Sequence, residues 1–380
     1  MRFSEHKRER EMDVERLMNT GLRSIKPYVG GKPADEVSRE FGVSDPVKMN
    51  SNENPIGVSP KAIQAAARIL TRANIYPEGS NRVIRESIGE KHGVDPDCVI
   101  VGNGADEIIY YIAMAFTNDG DEVIIPELTF PIYEIAFKMM RARIVTSGME
   151  GFRIDLSSIL AAITGRTKLI TLCNPNNPTG DALGKEAVSD FLREVPESVV
   201  VLMDEAYMEF ADLDDFPDSI GMWKEGKSNL FVVRTLSKAF GLAGFRVGFG
   251  IGSKEMVSLM NRIKLPFNIS IVSQYAAAAA LEDEGFLKET LESTRREKHV
   301  MYDALDSLGV TYVRSSTNFI LIDTGTDGDL VAERLMKRGV IVRSAKNYGT
   351  PTCIRVTVGT QEQNTRFIRE LARAIEKVEG

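Results

Sequence analysis

Cysteine, histidine and tryptophan are scarce in this 380-residue chain, which holds three, three and one of them. Cys98, Cys173 and Cys353 are odd in number and far apart in apolar or turn sequence. That excludes a disulfide framework and predicts buried thiols in a reducing compartment. His6, His92 and His299 sit in charged or loop sequence without partners at metal-ligand spacing, so no metal site is expected and all three read as surface residues. An excess of positive charge is missing too. Lys and Arg number 47 against 54 Asp and Glu, a net charge of -7, which argues against a surface for nucleic acid or anionic membrane. The longest small-residue apolar run, 275–281, is far short of a membrane span. The opening MRFSEHKREREMDVER lacks the apolar core of a signal peptide, and a cytoplasmic protein is expected. Internal repeats and low-complexity segments are also absent.

What is present is 43% hydrophobic residues over a length suited to one large domain and a smaller one. Short apolar, mostly β-branched runs occur at 98–101, 122–125, 143–145, 168–172, 198–203 and 229–233. Helical patterns such as 106–116 and 185–193 separate several of them. The alternation predicts an α/β fold, its large domain a mostly parallel central sheet flanked by helices. Strands at 310–313, 318–322, 340–342 and 354–358, with helices at 328–338 and 361–378, predict a smaller α/β domain. Helices are also expected at 60–70, 253–263 and across 271–308, the last including a long connecting helix. Residues 1–20 read as a solvated helix or frayed arm, and 21–43 and 48–60 as irregular chain. The boundaries follow: an arm, 1–50, joining the small domain; a large domain, 51–270; and a small domain, 271–380.

Two phosphate-loop patterns fail on context. Residues 221–228 match the Walker A spacing, but an acidic, proline-bearing loop precedes them and a strand follows. Gly102-Asn103-Gly104 has Glu107 where a dinucleotide loop places its third glycine. The helix beginning there could still receive a phosphate on its free N–H groups.

Parallel sheets bind ligands at the carboxyl ends of their strands, and four elements gather there. After the 168–172 run, Asn-Pro pairs in 174–180 force an extended turn, and Asn177 presents a carboxamide. After 198–203 come Asp204 and Tyr207; a carboxylate closing a buried strand needs a cation, unless it caps a helix. The third element is the helix start at Ala105 and Asp106. The fourth is Thr235, Ser237, Lys238 and Arg246, where a lysine in apolar surroundings either pairs with a charge or gives up its proton and acts as an amine. Together they offer a phosphate cradle, an amine for an aldehyde, an acid for a protonated ring nitrogen and a phenol and amide for a phenolic oxygen. Pyridoxal 5′-phosphate asks for that set.

The sequence resembles the fold-type I pyridoxal-phosphate aminotransferases, and among them is most similar to the histidinol-phosphate aminotransferases. The resemblance spans nearly the whole chain after residue 20. It is carried by Lys26-Pro27-Tyr28, Ser51-Asn52-Glu53-Asn54-Pro55, Gly102 to Glu107, Asn176 to Gly180, Asp204 to Tyr207, and Arg234 to Lys238 with Gly244-Phe245-Arg246. It implies that Lys238 binds the cofactor aldehyde and then moves a proton between substrate Cα and cofactor C4′. Asp204 would pair with the ring nitrogen, and Tyr207 and Asn177 with the ring oxygen. Thr235, Ser237, Arg246 and the backbone at Ala105 and Asp106 would hold the phosphate. Phe130 would stack on the ring at a position often tyrosine in this family. Tyr76 would reach the phosphate across a homodimer interface. Arg355 would bind the substrate carboxylate, Arg343 the substrate phosphate, and Tyr28 would close over the substrate.

The implied reaction is reversible, ping-pong transfer of an amino group between glutamate and imidazole-acetol phosphate. Transamination of aromatic amino acids is the first alternative, since the same arginines and an apolar pocket would serve it. A decarboxylase acting on a phosphorylated amino acid is the second, and a non-catalytic regulator the third. Regulators of this kind carry a DNA-binding domain, and the segment before the catalytic lobe is too short for one.

Overall fold

The computed structural model describes residues 14–27 and 30–376, which leaves the first thirteen residues of the expected arm and Tyr28 outside the described residues. Seven strands form the central sheet, in the order Val99–Asn103, Val247–Ile251, Leu230–Thr235, Val200–Asp204, Thr167–Cys173, Glu122–Pro126 and Arg143–Ser147. The Val247–Ile251 strand is antiparallel to both neighbours, and the other pairings are parallel. Helices cover both faces, so alternate residues of one strand enter different cores. Val99, Val101, Ile170, Leu172, Val201 and Met203 belong to one apolar cluster, and Ile100, Leu169, Leu202 and Val233 to the other. Double burial explains why these strands read as unbroken apolar runs, and the six runs in this sheet lie within two residues of their expected ends.

The antiparallel strand was not expected, because Gly248 and Gly250 interrupt its apolar pattern. Both glycines answer to close approach. A Cβ at Gly248 would run into the backbone N of Ala105, and one at Gly250 into the Phe231 ring. The start of the Ala105–Phe116 helix is therefore pressed against this strand.

The second unit is built on four antiparallel strands ordered Thr311–Tyr312, Phe319–Asp323, Cys353–Thr357 and Arg343–Ser344. Its core gathers Met301, Ile320, Val356 and Phe367 from these strands and the helices Glu284–Ser307 and Gln361–Ile375. The early strand Val47–Lys48 pairs in parallel with Val340–Ile341, which fastens the chain before residue 50 to this unit.

Helices also form on chain expected as irregular or left unassigned, among them Ala34–Phe41 and Arg82–His92. The 271–308 stretch divides into Ile271–Leu281 and Glu284–Ser307. Asp283 makes the break. One carboxylate oxygen accepts from Ser59 Oγ at 2.6 Å and the other from Phe286 N at 3.4 Å. Ser59 in turn caps Pro60–Ile69, so two helix starts share one joint. The Walker-like residues lie in the Ser219–Lys224 helix and the turn after it, a place with no phosphate-loop geometry. His92 corrects its surface reading: it is half-buried, tilted on Phe249 and 3.5 Å from Arg234, and burial beside cations pulls its pKa down to about 3. No described helix is long and apolar enough to cross a membrane.

Candidate active site

The strand ends at Cys173, Asp204 and Thr235 face the start of the Ala105–Phe116 helix across a cavity of about 380 Å³. Lys238, Asp204, Tyr207, Asn177 and Phe130 all line it. So do Ala105, Asp106, Thr235, Ser237 and Arg246 at one end, and Arg343 and Arg355 from the smaller sheet at the other. The topology thus brings together residues spread over 250 positions of sequence.

Asp204 ends its strand only 3% exposed. Its Oδ1 accepts from Ala206 N at 3.0 Å and its Oδ2 from the Tyr133 hydroxyl at 2.7 Å. No cation lies at ion-pair distance among the described residues, and it caps no helix: Tyr207 occupies the N-cap of the short turn that follows. Burial pushes its pKa up to about 6 against the pull of those two donors. A buried acid with room for a cation beside it is the outcome.

Lys238 faces the complementary problem. Its Nζ donates to Ser51 O at 3.2 Å and lies 5.8 Å from the Tyr207 ring centroid. Burial, reinforced by the Arg355 charge, brings its pKa down to about 8. The amine is therefore neutral far more often near pH 7 than an exposed lysine. Tyr207 is held by Asn52, whose Nδ2 donates to its hydroxyl at 2.9 Å, and by the edge of Phe319 at 5.2 Å.

At the other end the Ala105–Phe116 helix starts at Gly104 with no side-chain cap, so its first N–H groups remain available. Thr235 Oγ1 donates to Ser237 Oγ at 2.9 Å, and Arg246 Nη1 reaches Ser237 Oγ at 3.4 Å. Arg246 Nη2 stands 3.6 Å from Asp106. Arg246 has φ +56° and Gly104 φ +80°; a Cβ at Gly104 would strike the Arg246 guanidinium. Strained backbone over a cluster of hydroxyls, guanidinium and free N–H groups is an anion cradle.

Arg355 is 5% exposed, its guanidinium 5.1 Å from the Phe319 ring and 5.9 Å from that of Tyr348. It donates to Asn177 Oδ1 at 2.5 Å and Asn50 O at 3.1 Å, while its Nε has no partner. Arg343 lies directly opposite it in the ladder.

Of the described residues expected from sequence, Tyr76 is the one that does not line this cavity. It is 78% exposed and stacks on Phe267 with centroids 4.7 Å apart. Sequence reasoning gave no role to Asn52, Tyr133 or Tyr348. Asn52 lies within a quoted motif and Tyr133 three residues after Phe130; Tyr348 carries no local signal at all.

The sequence profile of aminotransferase class I and II matches residues 44–371. A histidinol-phosphate aminotransferase of Moorella thermoacetica is 43% identical over 350 residues, 92% of this chain and 91% of that protein. Histidinol-phosphate aminotransferase 2 of Carboxydothermus hydrogenoformans is 43% identical over 361 residues, 95% and 99% of the two. Among solved structures, the Sinorhizobium meliloti histidinol-phosphate aminotransferase in complex with pyridoxal-5′-phosphate superposes with a TM-score of 0.86 at 26% identity, covering 94% of this chain and 97% of that one.

Proposed function

We propose, on the premise that this chain belongs to the class I and II aminotransferases, that it transfers an amino group between glutamate and imidazole-acetol phosphate, forming histidinol phosphate and 2-oxoglutarate. The observation that carries the reading is the pair Arg343 and Arg355, set directly opposite each other across an antiparallel ladder and lining one cavity. Two guanidiniums on one cavity suit substrates that bring anionic groups, and glutamate and the phosphorylated imidazole substrate both do.

The donor set fits pyridoxal 5′-phosphate. A buried carboxylate without a cation, an amine of lowered pKa and an uncapped helix start backed by hydroxyls and Arg246 stand around one hollow. Bound there, the cofactor supplies an aldehyde and an electron-withdrawing ring that stabilises negative charge at the substrate Cα. Lys238 would hold it covalently and move the proton at that Cα. Asp204 would keep the ring nitrogen protonated, Tyr207 and Asn177 would hydrogen-bond the ring oxygen, and Phe130 would cover the ring face. Ala105, Asp106, Thr235, Ser237 and Arg246 would fix the phosphate. Arg355 would grip the carboxylate and Arg343 the substrate phosphate, with Tyr28 closing over them. Residues 51–270 would be the cofactor lobe, and 271–380 with the 1–50 arm the smaller one.

A homodimer completes the site in this reading. Tyr76 stacks on Phe267, and Leu70, Ile75 and Leu265 in the same two segments are exposed as well, an apolar face suited to a second copy. From it Tyr76 would reach the partner's phosphate cradle.

The test is turnover of purified protein with histidinol phosphate against phenylalanine. A kcat/KM at least about 100-fold higher for histidinol phosphate is expected, since losing a bound phosphate costs about 3 kcal/mol. A preference for phenylalanine would overturn the assignment.

Asp204 also sets a pH dependence. In the empty protein its carboxyl is neutral below about pH 6, against an ordinary 3.8. Between those values the fold holds a proton that the unfolded chain has lost. This group therefore favours the empty fold on the acid side, and that contribution is lost as pH rises through about 6. Cofactor binding runs the other way, because a cationic ring needs the anion. Cofactor affinity is expected to fall about tenfold per pH unit below about 6, measured by equilibrium dialysis.

A further inference from the structure

Tyr133 is a fully buried phenol whose hydroxyl the proposed chemistry leaves unused. It lies on the Ile132–Met139 helix, edge-on to Phe130 at 5.8 Å, with its hydroxyl 2.7 Å from Asp204 Oδ2. Phenylalanine would fill the same space, and a hydroxyl at that depth is costly to bury unless its hydrogen bond matters. We propose that Tyr133 is the positioning residue of Asp204, fixing the carboxylate plane and holding it as an anion ready for a cationic ring. The inference rests on the reading of Asp204 as the partner of the ring nitrogen.

The surroundings of Asp204 give the hydroxyl its weight. Beside it on the neighbouring strand is Cys173, whose buried thiol stays protonated. Glu205 follows it in the chain, and Asp106 faces it from the helix start; both oppose a second negative charge. Tyr207, also protonated, lies on the far side of the strand end. No lysine or arginine stands at ion-pair distance among the described residues. Ala206 N and the Tyr133 hydroxyl are thus the two donors that favour the anion. Ala206 N is backbone and cannot vary by mutation, so the adjustable part of this balance is one phenol. Burial next to Asp204 and Cys173 keeps Tyr133 protonated well above the usual phenol range, and it donates at every working pH. With one donor on each oxygen, the carboxylate cannot swing. Its remaining lone pairs are left for the cavity it lines.

Tyr133→Phe tests this in two states of the protein. In cofactor-free protein labelled with 13C-aspartate, the Asp204 carboxyl signal, assigned by its loss in Asp204→Asn, is expected to titrate one to two pH units higher in Tyr133→Phe than in the wild type. That shift corresponds to the roughly 10- to 100-fold value of a hydrogen bond to a charged group. In the holoenzyme the midpoint of cofactor release on acidification should rise by a similar interval, and kcat should drop about 10- to 100-fold with KM for glutamate nearly unchanged. An unaltered Asp204 titration and release midpoint would reduce Tyr133 to packing and overturn the proposal. Should the variant fail to fold, the wild type answers alone: the labelled Tyr133 Cζ signal must move at the pH where Asp204 titrates, and an insensitive signal refutes the coupling. Asp204→Asn separates the two levels. If that variant keeps full cofactor affinity and kcat, the reading of Asp204 itself fails; if it loses both while Tyr133→Phe changes nothing, the present inference alone is wrong.

Discussion

Lys238→Ala is expected to bind cofactor and substrates yet to transaminate at least about 10⁴-fold more slowly, because it removes both the covalent anchor and the base at the substrate Cα. With a pKa of about 8, roughly a tenth of Lys238 is neutral at pH 7, against about one part in 3,000 for an unperturbed lysine. Among the described residues no other amine lines the cavity to replace it. The same depression is a cost to the empty fold. A lysine whose folded pKa lies below its ordinary 10.5 withholds stability at neutral pH and returns it only as pH rises from about 8. Cofactor-free Lys238→Ala should therefore melt no lower than cofactor-free wild type at pH 7. Normal turnover in the variant would remove the amine from the mechanism.

Mixing adds a test of the dimer. Co-expression of Lys238→Ala with Tyr76→Ala should restore activity beyond that of either variant, since one site of the mixed dimer receives an intact lysine from one chain and an intact tyrosine from the other. If Tyr76 served its own chain, no mixed site would be whole and no gain would appear.

Asn177, Asp204, Thr235 and Lys238 were legible in the sequence for one reason: each ends or closely follows a doubly buried strand. Asp204 and Thr235 are the last residues of such strands, and Asn177 and Lys238 lie within four residues of one, so finding the apolar run locates the chemistry. The strand Val247–Ile251 escaped because the glycines that admit the Ala105 backbone and the Phe231 ring erase its apolar signature. The helix Ala34–Phe41 escaped for another reason: Ala34, Val37 and Phe41 do repeat at helical spacing, but over so short a stretch that the flanking Gly31, Pro33 and Gly42 outweigh the pattern. The supporting shell of the site was illegible on different grounds. Tyr133 meets Asp204 across 71 residues, and Asn52 meets Tyr207 across 155. Such contacts are made by the fold and have no local spacing to betray them. His92 misled by its charged neighbours, since the Phe249 ring that covers it lies on a distant strand.

Arg355→Met is expected to separate function from stability. Among the described residues the guanidinium has neutral partners only, Asn177, Asn50 O and two aromatic faces, and its Nε has none. A buried charge without a counter-ion contributes little net stability, so an apolar side chain of similar volume should shift unfolding by no more than about 1 kcal/mol. Substrate binding loses much more. Removing one member of a buried, hydrogen-bonded ion pair costs about 2–4 kcal/mol, which lowers kcat/KM for glutamate about 30- to 1,000-fold, mainly through KM. A second consequence follows from the geometry around the amine. The Arg355 charge helps to depress the Lys238 pKa, so its removal should move the alkaline pH at which the free amine forms upward. Loss of folding stability in step with activity would mean that Arg355 serves the architecture. A preserved melting temperature, a raised KM and an upward pH shift together would mean that its counter-ion arrives with the substrate.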